Sequence, residues 1–269
     1  MRKVTLELSN PGATRLRTKL GGEIASNLPA NLQQRLSDLE TKGFAEAGDE
    51  IDPQLLAELI QASEARLAGH EEATKIHEFF STISQPEDLQ LGSIYVRFAL
   101  QPAVQKLACA YFNNTVPYLC SANLLLSRGR DAKEWINSQL WHLDYSDCRT
   151  LRFWVYITDV TAVEDGPFTY MPVGPSRKVP NTFFPRRVTD EQMAAAGLAD
   201  EACQVYGKKG KVFYIDTSRC YHLGSRLKEG KTRLVYDATF LTHKHLYPSP
   251  SDIRVADGLS DVEKCFLTL

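Results

Sequence analysis

Near residue 118 the chain changes character, and that change narrows the folds open to it more than any other feature. The residues before it carry apolar side chains at helical intervals. Asp52-Pro53 opens one such stretch, with Leu55, Leu56, Leu59 and Ile60 on a shared face, an acidic cap and proline in the first turn. A second begins at Pro102, carries Val104, Leu107 and Ala108, and runs out near Asn113-Asn114. Beyond residue 118, short runs of Val, Ile, Tyr, Phe and Trp alternate with Gly, Pro, Asn and Asp, the punctuation of strands and turns. The pattern predicts strands over Asn123–Ser127, Gln139–Asp144, Leu151–Asp159, Pro167–Met171, Lys211–Asp216, Tyr221–Gly224 and Thr232–Thr242. Only 189–197 interrupts them, where Thr189-Asp190-Glu191-Gln192 starts a capped helix that Gly197 ends. Seven or eight short strands with uneven loops predict a mainly β jelly roll or barrel with flanking helices, not a parallel sheet. The chain holds no internal repeat, and residues 1–269 read as one domain: a mainly helical part over about 1–117, and a β core over about 118–242 with its helical insert.

Composition excludes several function classes. Lysine and arginine total 31 against 33 acidic residues, so the basic excess of a nucleic-acid binder is missing. The longest apolar runs, such as Phe153–Ile157, fall far short of the ~20 residues that cross a bilayer. The N-terminus is basic but lacks the apolar stretch of a secretory signal. Six cysteines without a Cys-x-x-Cys pair read as buried, reduced thiols of a cytoplasmic protein, and Asn113-Asn114-Thr115 as a coincidental glycosylation sequence. The expected partner is a small molecule, with neither nucleic acid nor membrane involved. Oligomeric state is not legible.

Four residues carry the chemistry. In a strand, His142 and Asp144 would point to one face and converge on one ion, with Trp141 and Leu143 packed behind. The alternative is a hydrogen-bonded His–Asp pair. His222 follows the apolar strand Val212–Asp216 and a turn at Thr217-Ser218, from which it can return beside His142. Two imidazoles and one carboxylate leave three octahedral positions open, the donor set of non-haem Fe(II) oxygenases, whereas structural zinc takes four closed ligands. Cys220 is the one nearby sulfur and reads as a buried thiol. Arg233 lies on the strand Thr232–Tyr236, where an inward arginine calls for an anion, and its planar fork suits a carboxylate. Taken alone it reads rather as an exposed arginine on a strand edge, and only the other three residues turn it inward.

The order His142-Leu143-Asp144, His222, Arg233 resembles the Fe(II)/2-oxoglutarate-dependent oxygenases, specifically the phytanoyl-CoA dioxygenase-like group. Similar too are Thr158-Asp159-Val160, Glu164-Asp165-Gly166-Pro167-Phe168, and Asp216 to His222 followed by Gly224-Ser225-Arg226. Met171-Pro172-Val173-Gly174-Pro175-Ser176 departs from the family's Pro-Gly-Ser-His loop by one extra residue and a missing histidine. The likeness covers about residues 50–242. It implies a double-stranded β-helix, cupin-like, with Fe(II) on His142, Asp144 and His222. The co-substrate 2-oxoglutarate would have its far carboxylate on Arg233 and a further contact from Asn123, which reads alternatively as a turn-adjacent polar residue. Dioxygen completes the set. The implied reaction hydroxylates an unactivated C–H of a small or medium metabolite and releases succinate and CO2. Related halogenases replace the carboxylate ligand by a small residue, so Asp144 favours hydroxylation, or another oxidation that starts from hydrogen abstraction, over halogenation.

Two other readings stand beside this one. A metal cupin would use no 2-oxoglutarate and turn Arg233 to its own substrate, and a silent β-barrel would only bind a ligand. The remaining polar and aromatic residues receive plain readings: Trp154 and Tyr156 as core, Tyr145, Asp147 and Arg149 as a solvated loop, and Arg186-Arg187 as a surface pair. His243-Lys244-His245 reads as loop beyond the last strand, and Gly207-Lys208-Lys209-Gly210 as a basic turn.

Overall fold

The computed structural model describes residues 11–70, 80–131, 134–179, 187–244, 253 and 259–268. Its helices begin and end where local chemistry allows. Helices α1 (Pro11–Ala25) and α2 (Ala30–Lys42) come first. Gly43, at φ 79°, ends α2 with its N–H on the Leu39 carbonyl, a left-handed stop that glycine adopts without strain. Helix α3 (Pro53–Ala68) starts on the Asp52 carboxylate, which accepts the amides of Gln54 and Leu55. Helices α4 (Ile94–Ala99) and α5 (Pro102–Tyr111) follow.

Two antiparallel sheets form the β portion. The larger has the order β1-β7-β4-β9-β3-β2, from β1 (Phe44–Glu46), β2 (Phe80–Thr82), β3 (Tyr118–Arg128), β4 (Thr150–Tyr156), β7 (Val212–Asp216) and β9 (Thr232–Leu241). The smaller is β6-β5-β8, from β5 (Phe168–Tyr170), β6 (Cys203–Val205) and β8 (His222–Leu223). Short helices α6 (Val173–Ser176) and α7 (Asp190–Ala195) sit in the connections, and α8 (Asp261–Leu267) closes the described chain. No described helix is long and apolar enough to cross a membrane.

Strand alternation divides the large sheet into a dry face and a working face. On β9, Leu234, Tyr236, Ala238 and Phe240 turn toward the helices and join Phe153, Tyr214, Phe98 and Leu107 in one core. Phe98 stacks on Phe153 with ring centroids 5.2 Å apart and meets Tyr236 edge-on at 5.6 Å. The alternate residues Arg233, Val235, Asp237 and Thr239 face the other way, opposite Ser127, Leu125, Asn123 and Ser121 of β3. The small sheet covers this face through Phe168, whose ring lies 4.8 Å from Trp154 and 5.8 Å from Phe213.

Two sequence expectations need correction, and the mainly helical N-terminal part adds two short strands, β1 and β2, which become the edges of the large sheet. Gln139–Asp144 is not a strand: a 3-10 turn covers Asn137–Gln139, and only single bridges follow. Trp141 pairs with Val188, His142 with His222, and the Asp144 amide donates to Thr217, so no one neighbour offers a continuous ladder. The Met171–Ser176 loop contains the short helix α6. The insert helix is found at Asp190–Ala195, capped by Thr189 and followed by Gly197 at φ 70°.

Candidate active site

The bridge between His142 and His222 builds the centre of the working face. Each residue's amide donates to the other's carbonyl, at 3.0 and 2.9 Å. That exchange sets the imidazoles side by side, with ring centroids 4.2 Å apart. Each Nδ1 lies on a backbone carbonyl, His142 on Leu140 at 2.8 Å and His222 on Cys220 at 3.0 Å. A carbonyl only accepts, so Nδ1 carries the proton in both rings and each Nε2 keeps its lone pair. Asp144 reaches the same point, with Oδ1 4.0 Å from His222 Nε2. One donor atom from each of His142, Asp144 and His222 lies within 4.8 Å of the others. Trp141 and Leu143 turn away into a separate apolar cluster with Met171 and Leu223.

Electrostatics readies these groups for a cation. Burial, reinforced by the neighbouring His222, brings the His142 imidazole down to about 3. Burial likewise lowers His222, against the opposing pull of Asp144. Burial opposes the Asp144 charge, yet the Arg152 guanidinium and the imidazoles outweigh it and hold the carboxyl well below the usual range. Two neutral imidazoles and one ionised carboxylate are the protonation states that metal binding requires.

A cavity of about 690 Å³ opens over the three side chains. At one end Arg233 is 3% exposed, and no acidic side chain among the described residues pairs with it. It donates to the Gly166 carbonyl and to the Ser225 hydroxyl at 3.1 Å, while its Nε is buried with no partner. Burial lowers its pKa, with Tyr156 opposing. A desolvated guanidinium in this condition is stabilised by an incoming carboxylate. Asn123 faces the same cavity one strand over, with Oδ1 buried and unpartnered. The other end carries the hydroxyls of Ser121, Ser146, Thr150 and Thr239. Thr150 Oγ1 is also buried without a partner.

Sequence reading missed Arg152 and Asp237. Arg152 donates through Nε to Asp144 Oδ2 at 3.0 Å, with NH2 2.9 Å from the same oxygen in the ion pair, and through NH1 to Asp237 Oδ2. Trp154 Nε1 donates to Asp237 Oδ1 at 2.7 Å. Trp154 and Tyr156 are buried in one core cluster as expected, and Trp154 lines the cavity as well. The available signal was parity. Arg152 is two residues from Trp154, and Asp237 four from Arg233, each a charge set inside an apolar strand. Arg149 and Asp147 are not a solvated loop either: Arg149 pairs with Glu40 and lies over Tyr111, and Asp147 accepts the Thr242 amide. Arg187 and Tyr145 are exposed and line the cavity mouth, while Arg186 and His245 lie outside the described residues. Cys220 packs against Gly43 and is not among the three grouped donors, and Cys148 is exposed rather than buried.

No protein-family model and no curated protein matches the chain. Solved structures do. The epimerase SnoN, in complex with Fe3+, alpha ketoglutarate and nogalamycin RO, is 19% identical at a TM-score of 0.57, over 82% of this chain and 88% of its own. EctD from S. alaskensis, with 2-oxoglutarate and 5-hydroxyectoine, is 16% identical at 0.55, over 83% and 87%. The non-heme alpha ketoglutarate dependent carbocyclase SnoK from nogalamycin biosynthesis is 16% identical at 0.53, over 87% and 96%. At these identities the likeness is one of fold: two antiparallel sheets with flanking helices, the double-stranded β-helix that these enzymes share with this chain.

Proposed function

We propose that the chain is a single-domain Fe(II)/2-oxoglutarate-dependent dioxygenase of the phytanoyl-CoA dioxygenase-like group. Its substrate is a small or medium metabolite, hydroxylated at an unactivated C–H with release of succinate and CO2. His142, Asp144 and His222 would hold the iron, and Arg233 the far carboxylate of 2-oxoglutarate, with Asn123 as a further co-substrate contact. The observation that carries this reading is the buried, acid-free guanidinium of Arg233 in the cavity that also contains the three donor atoms. The donor set fits the metal, since both Nε2 atoms are unprotonated and Asp144 is ionised. Of the structures of similar fold, that of SnoN holds Fe3+ and the same keto acid, and that of EctD the keto acid.

Iron, when bound, supplies the oxidising chemistry with dioxygen. The chain's own residues bind and orient. Arg233 anchors the diacid, Phe168 and Trp154 wall the cavity, and hydroxyls line the end away from Arg233. Those hydroxyls can hydrogen-bond a polar molecule of metabolite size. We place the protein in the cytoplasm on the strength of its free thiols.

Anaerobic titration of the Fe(II)-loaded protein with 2-oxoglutarate tests the reading. A weak visible charge-transfer band is expected, severely reduced in Arg233→Ala. No band at millimolar co-substrate would favour a metal cupin that turns Arg233 to its own substrate. Failure to take up iron at all would favour a silent binding barrel.

A further inference from the structure

Asp144 lies beyond the single bridge at His142, in a stretch that forms no ladder. Its backbone is tied by one amide bond to Thr217, which leaves the carboxylate's rotation to other groups. Foremost among those groups is Arg152, joined to Asp237 and Trp154 in a chain across β4 and β9, with the Thr217 side chain also acting on the carboxylate. The indole N–H of Trp154 and the NH1 of Arg152 take the two oxygens of Asp237, one each. The guanidinium's other two nitrogens both end on Oδ2 of Asp144. Asp237 is 3% exposed and the Arg152 fork is engaged on both sides, so the guanidinium has one orientation available. Oδ1, the oxygen that faces His222, receives none of these bonds.

We propose that Arg152 is a positioning residue that makes Asp144 a one-oxygen ligand. This inference rests on the reading of His142, Asp144 and His222 as the iron site. A carboxylate free to rotate can present both oxygens to one cation and occupy two positions. The Nε–H bond and the close NH2 contact on Oδ2 tie that oxygen to the strand and leave Oδ1 for the ion. The positions thus spared are those that a keto acid and dioxygen need. Asp237 and Trp154 act one step further back, by holding the guanidinium.

Co(II) titration of the metal-free protein tests this without turnover. Wild type is expected to bind one Co(II) per chain with a defined visible d–d spectrum, and Asp144→Ala to lose that site. Arg152→Gln is expected to bind Co(II) about 10- to 100-fold more weakly, the usual cost of losing a residue that orients a ligand. Its d–d spectrum should change shape, and its Co(II) form should lose affinity for 2-oxoglutarate. Arg152→Lys, which keeps one donor, should recover part of each, and Asp237→Asn should shift all three in the Arg152→Gln direction by less. Far-UV circular dichroism of each variant separates these effects from misfolding. A folded Arg152→Gln or Asp237→Asn protein with wild-type Co(II) affinity and spectrum would overturn the role of Arg152 and leave the iron site standing. A wild type that takes up no Co(II) would sink the site, and the inference with it.

Discussion

His142 and His222 meet through their backbones before their side chains come into play: reciprocal amide–carbonyl bonds at 3.0 and 2.9 Å join them, and the ring centroids follow at 4.2 Å. The imidazole pair is therefore set by a backbone bridge. Its cost is that two rings must stay neutral in a buried place.

That cost makes the metal-free protein acid-sensitive. Folded His142 takes up its proton only near pH 3, whereas an unfolded chain does so near 6.5. Between those values the unfolded state binds more protons, so stability falls as pH falls, at about 1.4 kcal/mol per pH unit for this imidazole. His222, lowered in the same direction, adds to the slope. Urea unfolding is expected to show a loss of at least about 2 kcal/mol between pH 6.5 and 5, and His142→Gln should flatten the curve. A stability independent of pH over that window would contradict neutral rings.

Arg233→Met should separate stability from co-substrate binding. The substitution removes a buried cation that no described acid neutralises, so melting temperature should hold or rise. The 2-oxoglutarate KM should rise about 10- to 100-fold, matching the ~1.5–3 kcal/mol of a charged hydrogen bond. Steady-state kinetics beside thermal unfolding reads both, and an unchanged KM would remove Arg233 from the co-substrate site.

Asp144→Ala should abolish succinate formation from 2-oxoglutarate, because two imidazoles alone hold iron weakly. Metal analysis after dialysis should find the iron gone. Retained turnover would exclude Asp144 from the ligand set.

Gly43→Ala connects the helical layer to the site. A Cβ there would stand 2.2 Å from Cys220 Sγ and 2.8 Å from Val173 Cγ2, at φ 79°. Strain and overlap together should cost about 2–4 kcal/mol. Iron affinity should fall as well, since the Cys220 carbonyl holds His222 Nδ1. Adding Cys220→Ala should restore part of the melting temperature by removing the sulfur. A double variant no more stable than Gly43→Ala would place the strain elsewhere.

Local signals carried much of this site. The caps at Asp52 and Thr189, the alternation on β9 and the His142-Leu143-Asp144 spacing are short-range features, and each has its counterpart in the structure. What the sequence withheld was register. Arg152 and Asp237 lie 85 positions apart, and only the β4–β9 ladder, which pairs Arg152 with Thr239 and Trp154 with Asp237, brings them together. Edge strands β1 and β2, three residues each, are too short for periodicity to mark. The segment before Asp144 has strand-like composition, yet its backbone groups are shared among Val188, His222 and Thr217.

The continuous pairing of β3 with β9 from Ser121 and Thr239 to Arg128 and Thr232 acts as a gauge. Six residues at ~3.3 Å each set roughly 20 Å of strand between the anchoring arginine and Thr239. Paired hydrogen bonds at alternate rungs keep that span from stretching, so molecules of different length must be accommodated by the loops at its rim, such as the one carrying Tyr145 and Ser146. Exchanging the loops should alter which compounds react, while the grip on the shared diacid stays constant.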